Sequence, residues 1–389
     1  MEYLTVSQVV HEYTELTHKS PFFISDWDSL ANNISRPKMI LEDSLKKSLN
    51  NMDKYFFIED DFGKDSVIKF FNNFNVELDK NSFLIGPNAS LMLTTALIAL
   101  KDIGIKNVLI ILPVYFSIPQ ILRILGIKYI QYDTMFPEYQ LNFEEIKTLL
   151  QENYIDAIFI TDPFYGSGIN VSLNFYNRLI NYLNENNIYL IVDYARGAMK
   201  WEDSTITHIF DFQLYNVLKK AKHFIFIESI SKRIFVNGFK NSLLFSNYTI
   251  IQRIRKLGDC FIGSMSAGQM EFLNNLYSIS NIALVNEMIK KNITNAQKNF
   301  ELIKTLVLGT DISYTVPKDG NYILIGIPKK HYENTTDINI FKKILYNFDV
   351  YTLPQSLYAH EDRNYYIFRV NLLLNIDVLI IALQKLLFD

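Results

Sequence analysis

The stretch His223-Phe224-Ile225-Phe226-Ile227-Glu228-Ser229-Ile230-Ser231-Lys232-Arg233 decides how this chain is read. After the histidine it is an apolar, aromatic and β-branched run of strand length, as in a strand buried on both faces. Lys232 therefore falls just past a strand end, beside the hydroxyls of Ser229 and Ser231. A lysine so placed can act as a nucleophile toward a carbonyl, and the hydroxyls can hold a phosphate. Gly238 and Lys240 follow Lys232 at six and eight residues. Ser-x-Ser-Lys is short, so a solvated loop lysine is the other reading, and the rest of the chain must decide between them.

Strand and helix alternate around this stretch. Phe83–Ile85, Asn107–Leu112, Tyr129–Asp133, Ala157–Thr161 and Ile188–Val192 read as strands ahead of it, and Asn241–Ser246 as one after it. Leu91–Leu100, Ile118–Leu125, Phe143–Gln151 and Leu173–Glu185 have helical spacing between them. This rhythm predicts an α/β fold whose mainly parallel sheet carries helices on both faces. Ligands in such sheets bind beyond the carboxyl ends of the strands. Asn88 to Ser90, Tyr115, Asp162 to Gly168, Asp193 and Lys232 all follow strand ends, so they should converge on one rim. Gly86-Pro87-Asn88-Ala89-Ser90 joins a strand to a helix start, a layout that offers free backbone N–H groups to an anion. Neither G-x-G-x-x-G nor a Walker Gly-Lys-Ser/Thr is present. A tight turn without a ligand stays open for it.

The flanks read differently. Residues 1–50 look like a helical arm and an irregular stretch, with Trp27 and Pro37 as punctuation. Tyr55 to Gly63 is aromatic and then acidic, and Lys64–Phe74 places Val67, Phe70, Phe71 and Phe74 on one helical face. Ile279–Leu306 reads as one long helix of the kind that joins two domains. Residues 307–389 then form a smaller α/β unit: strand Asn321–Ile327, helix Ile338–Tyr346, strand Tyr365–Val370 and helix Asp377–Leu387. The last strand carries Arg369, which is costly to bury without an anion. The expected division is 1–50, 51–280 and 281–389.

Composition narrows the function. The chain has 389 residues, 49% of them hydrophobic, enough for one large core and one smaller core. Its net charge is -3 and no long basic block appears, which argues against nucleic acid and anionic membranes as partners. Cys260 is the sole cysteine, so an intrachain disulfide and a cysteine-rich zinc site are excluded, and no metal is expected. Met1 to Ser20 has no apolar h-region, and the longest apolar run, Val108 to Phe116, contains Pro113 and is too short to span a bilayer. A soluble cytoplasmic protein is expected.

From about Tyr55 to the C-terminus the chain resembles the pyridoxal-phosphate-dependent class I/II aminotransferases of fold type I. Ser229-Ile230-Ser231-Lys232 is similar to the family's lysine motif. The resemblance implies that Lys232 forms the internal aldimine with pyridoxal 5'-phosphate and shuttles the substrate proton, while Ser229 and Ser231 hold the cofactor side. Lys240 stands where the family has arginine, which keeps the charge but gives up the two-pronged contact. Asn88-Ala89-Ser90 resembles the phosphate turn, and Pro113-Val114-Tyr115 the segment whose aromatic stacks on the pyridine ring. Asp193 resembles the aspartate that keeps the ring nitrogen protonated. Tyr55 resembles the tyrosine that reaches the phosphate of a neighbouring subunit, which implies a homodimer. Arg369 resembles the arginine that clamps the substrate carboxylate.

Two positions depart from the family. Tyr165 stands where it usually has asparagine, in Tyr165-Gly166-Ser167-Gly168, and Arg196 stands where it usually has tyrosine. Both usual partners of the cofactor O3′ are therefore altered, and Tyr165 and Arg196 are the expected replacements. A surface ion pair of Arg196 with Glu202 or Asp203 is the alternative. The resemblance implies an aminotransferase acting on an amino acid. The departures keep a second reading open, a lyase, replacement enzyme or oxidase on the same scaffold. A cofactor-binding protein without activity is a third. Phe22, Phe23 and Trp27 are candidates for an apolar side-chain pocket, or equally for core.

Overall fold

The computed structural model describes residues 3–25, 34–58, 61–202, 205–333 and 335–388. Seven strands form the central sheet: β1 (Phe83–Gly86), β2 (Asn107–Ile111), β3 (Lys128–Tyr132), β4 (Ala157–Thr161), β5 (Tyr189–Tyr194), β6 (Phe224–Glu228) and β7 (Ser242–Ser246). Their order is β1-β7-β6-β5-β4-β2-β3. β7 runs antiparallel to both of its neighbours, and the remaining pairs are parallel. The fold is thus α/β with a mixed, mostly parallel sheet. β4, β6 and β7 are buried along their whole length, which explains why their sequences are near-continuous apolar runs.

Helices cover both faces and several are fixed at their starts by side-chain caps. Asn88, Asn142, Ser172 and Asn247 each accept a backbone N–H in the first turn. Such caps stabilise a helix by about 1 kcal/mol each. The expected long helix begins at Ile282 and runs to Leu306, after a 3-10 turn at Ile279–Asn281. Helices Phe212–Leu218, Tyr248–Phe261 and Ala267–Leu276 were not expected from apolar spacing, although Asp211, Asn247 and the Ser266–Gln269 capping box mark their starts.

A second sheet, entirely antiparallel, contains β8 (Ser313–Tyr314), β9 (Tyr322–Pro328), β10 (Leu353–Pro354) and β11 (Tyr365–Asn371) in the order β8-β9-β11-β10. Phe22–Phe23 pairs with Val350–Tyr351 beside it, whereas helix Lys38–Ser48 packs against Ala267–Leu276. Backbone bonds stitch this sheet to the rim of the first: Lys318 and Asp319 N–H donate to Gly168 O, and Gly320 N–H to Met199 O. Gly168 has φ +70°, and a Cβ there would lie 2.4 Å from Pro317 Cβ, so the junction requires glycine. Among the described residues no helix is long and apolar enough to cross a membrane.

Candidate active site

A cavity of about 600 Å³ opens where the two sheets meet, at the carboxyl ends of β4, β5 and β6. Asn88, Ala89, Ser90, Tyr115, Tyr165, Asp193, Arg196, Ser229, Lys232 and Lys240 all line it. The strand-end residues of the sequence therefore converge on one rim.

Lys232 lies on the short helix Ile230–Arg233, whose N-cap is Ser229. Its side chain is half-buried where it meets the cavity. Burial, together with the nearby Arg196, pulls its pKa down to about 8, although Asp193 opposes the shift. Asp193 is pushed the other way, chiefly by burial, and is held back by Lys232, the Ala195 N–H and Arg196. The Ala195 N–H donates to Asp193 Oδ1 at 3.0 Å. A lysine with a lowered pKa is available as the neutral nucleophile near neutral pH. The cofactor-free chain should therefore form a Schiff base with an added aldehyde at a rate that rises with pH and levels off above about 8. The protonated amine dominates below that point. A rate still climbing proportionally with hydroxide at pH 10, as for an exposed lysine of ordinary pKa near 10.4, would count against the lowered value.

The opposite wall suits an anion. Helix Ala89–Asp102 starts there, and the Asn88 side chain caps it by accepting from Leu91 N–H at 2.9 Å. First-turn N–H groups of a helix have no intrahelical partner, and the helix dipole adds positive potential. Ser229 Oγ faces the same space and donates to Asn241 O at 2.5 Å. Ser231 does not line the cavity. It stands behind Ser229, with the two Oγ atoms 2.9 Å apart, and so supports the cradle indirectly. Tyr55 is also outside the cavity of its own chain, 73% exposed and stacked on Phe57. Phe22 and Phe23 are not on the cavity either, because they are paired into the edge next to Val350. Trp27 and Asp203 lie outside the described residues.

Tyr165 sits between rings, 5.7 Å from Tyr115 and 4.8 Å from Tyr358. Burial holds its phenol protonated. The Arg196 guanidinium lies over the Tyr322 ring at 4.8 Å, half-buried on the cavity wall rather than out on the surface. Arg369 is 1% exposed but does not line the cavity. It lies behind Tyr165, and its Nη1 donates to the Tyr165 hydroxyl at 3.3 Å.

Sequence reasoning missed two features. Asp319, Gly320, Asn321 and Tyr322 line the cavity from the second sheet, and only their position at the start of an apolar strand hinted at it. Asp319 Oδ2 accepts from Asn170, Tyr194 and the Ala198 N–H, with Lys200 Nζ at 3.4 Å. Asp162, at the end of β4, has its pKa raised to about 6 by burial. The second missed feature is a buried ion pair, Glu228–Arg233, which brackets the lysine motif.

The carboxyl rim of the α/β sheet thus brings a lysine and an aspartate to one cavity. The model of the family described as aminotransferase class I and II matches residues 31–384, and the chain belongs to that family. Its fold is similar to that of an Escherichia coli protein with a methionine aminotransferase function, at TM-score 0.80 and 12% identity over 99% of this chain and 95% of the other. Thermus thermophilus aspartate aminotransferase, as a double mutant, matches at TM-score 0.81 and 12% identity over 98% and 95%. The aspartate aminotransferase of Thermotoga maritima matches at 0.78 and 15% over 98% and 96%. No curated protein matches the chain in sequence.

Members of this family use pyridoxal phosphate, and the residues present fit it. The wall offers a helix N-terminus and Ser229 for a phosphate, Asp193 for a ring cation, and Lys232 for an aldehyde. Thr161 Oγ1 is buried on the same cavity and has no hydrogen-bond partner among the described residues. An orphaned polar atom is what a site completed by a bound group leaves in the bare chain.

Proposed function

We propose that the chain is a pyridoxal-phosphate-dependent aminotransferase acting on an amino acid, with Lys232 as the cofactor-bearing residue and proton shuttle. The observation that carries this is the Lys232–Asp193 pair facing a helix N-terminus across one cavity. When bound, the cofactor supplies an electron sink for the charge that develops at the substrate Cα. Ala89, Ser90, Ser229 and Lys240 would hold its phosphate, Asp193 its ring nitrogen and Tyr115 its face. Tyr165 and Arg196 would stand at its phenolic edge in place of asparagine and tyrosine. The Lys232 amine, once displaced by substrate, would take the Cα proton and return it to the carbon on the far side of the amino nitrogen, two bonds away.

Borohydride reduction of the holoenzyme followed by peptide mapping should place a pyridoxyl group on Lys232, and a label elsewhere sinks the assignment. A screen of amino donors with a keto-acid acceptor, read by mass, should then show amino-group exchange. The tyrosine and arginine departures favour one competing reading, a lyase, replacement enzyme or oxidase on this scaffold. Products formed without consumption of the keto acid would select it.

The chain would act as a homodimer in the cytoplasm. Met39, Leu49, Met52 and Tyr55 are 61–77% exposed along one segment, a surface suited to a second copy that Tyr55 would enter. Sedimentation should give about twice the chain mass of 45.4 kDa, and a monomer would remove Tyr55 from the site.

A further inference from the structure

Strand β4 is Ala157-Ile158-Phe159-Ile160-Thr161, an apolar run closed by a hydroxyl. An apolar β-branched residue would suit the same place without the cost of burying a polar atom. Thr161 is 6% exposed, and its Oγ1 has no hydrogen-bond partner among the described residues. Buried hydroxyls nearby are satisfied: Ser167 Oγ donates to Phe164 O at 2.8 Å, Tyr176 to Asp162 Oδ2 at 3.1 Å and Thr315 to Ser167 O at 2.9 Å. Among the described cavity-lining residues, Thr161 carries the only buried hydroxyl left unpaired. Such an orphan costs stability until something completes it.

Thr161 pairs with Asp193 in the parallel ladder between β4 and β5, and the Asp162 N–H donates to Asp193 O at 3.0 Å. Side chains of paired residues leave a sheet on the same face. Phe159 and Ile191, two residues earlier on each strand, share one apolar cluster with Ala89 and Leu93, which also line the cavity. Thr161 and Asp193 therefore stand side by side on the cavity floor. Thr161 also opens the loop that carries Tyr165, so it lies between the residue assigned to the ring nitrogen and one assigned to the phenolic edge. The Tyr165 hydroxyl is tied elsewhere. It accepts from Arg369 Nη1 at 3.3 Å, and Arg369 does not line the cavity and is fixed through Nε and Nη2 to the Ser25 carbonyl, at 3.2 and 2.5 Å. A hydroxypyridine aldehyde has, apart from its nitrogen, one polar atom of the ring edge to satisfy there, the phenolic oxygen, which accepts hydrogen bonds when ionised.

We propose that the Thr161 hydroxyl donates a hydrogen bond to the phenolic oxygen of the bound cofactor. The inference rests on the cofactor reading given above. A donor at that oxygen stabilises its ionised form. Oγ1 is shielded from solvent in the bare chain, so the contact forms by a turn about χ1 between staggered wells, with the backbone left in place. Loading of the cofactor and satisfaction of the orphaned hydroxyl are then one event.

The test loads the full chain with two probes, pyridoxal 5'-phosphate and the analogue that lacks only its phenolic oxygen. Thr161→Val should weaken pyridoxal 5'-phosphate about tenfold, the worth of one hydrogen bond to an ionised acceptor, as read by equilibrium absorbance titration. It should bind the deoxy analogue as tightly as wild type does. Thr161→Ala should show the same selective loss, and Thr161→Ser should restore most of the affinity. Without cofactor, Thr161→Val should be at least as stable as wild type toward urea, because it gives up no bond. Equal losses for both probes, no loss for either, or a less stable bare Thr161→Val chain overturns the proposal. Failure of the cofactor reading shows separately, as absence of the borohydride label on Lys232 in the wild-type chain.

Discussion

Lys232→Ala is expected to lower amino-group transfer by about 10⁴-fold or more, because one residue performs two tasks. It supplies the amine that binds the cofactor aldehyde, and it moves the proton once substrate has displaced it. The fold should survive, since among the described residues the side chain makes no hydrogen bond and its helix is held by backbone contacts such as Lys232 N–H to Ser229 O. Circular dichroism should therefore overlay wild type. Added small primary amines should restore a fraction of the rate, because they replace the base without needing its tether. A variant within tenfold of wild-type turnover would remove Lys232 from the chemistry.

The sequence carried the central sheet and most of the cavity for a simple reason. Strands buried on both faces must be apolar runs, and polar residues just beyond their ends have few other reasons to be there. Asn88, Asp193 and Lys232 were legible in that way. Asp319 to Tyr322 were not, because a polar turn ahead of a strand looks the same whether it meets solvent or docks against Gly168. Arg369 was legible as a buried cation but not by its partner. That partner is the carbonyl of Ser25, which every residue possesses, so no side-chain pattern could announce it. The helices after Asn247 and Ser266 were missed because attention to apolar spacing passed over their caps.

Arg233→Met is expected to destabilise the fold by about 3–5 kcal/mol, the usual cost of leaving one half of a buried ion pair behind. Glu228 and Arg233 are each 1% exposed and in direct contact. Tyr277 donates to Glu228 Oε1 at 2.8 Å, and Arg233 Nη1 donates to Gly197 O at 3.1 Å. Burial already pushes the Glu228 pKa up, with Arg233 the main opposing influence. Without the arginine it rises further, which sets the pH dependence. The unfolded chain holds Glu228 near its ordinary value of about 4.3, so below that pH the carboxyl is neutral in both states and the added penalty vanishes. Above it the folded state must either bury a bare charge or keep a proton that the unfolded state has released. The stability gap between Arg233→Met and wild type should thus widen as pH rises from 4 toward 7, measured by urea unfolding. The double variant Glu228→Met/Arg233→Met should recover most of the loss, because it removes the charge rather than its partner. Recovery of stability need not bring back function. The Arg233–Gly197 bond ties the lysine helix to the loop that carries Arg196, so the double variant should still hold the cofactor more weakly than wild type. If single and double variants were equally unstable at pH 7, packing volume and not charge would be what Arg233 contributes.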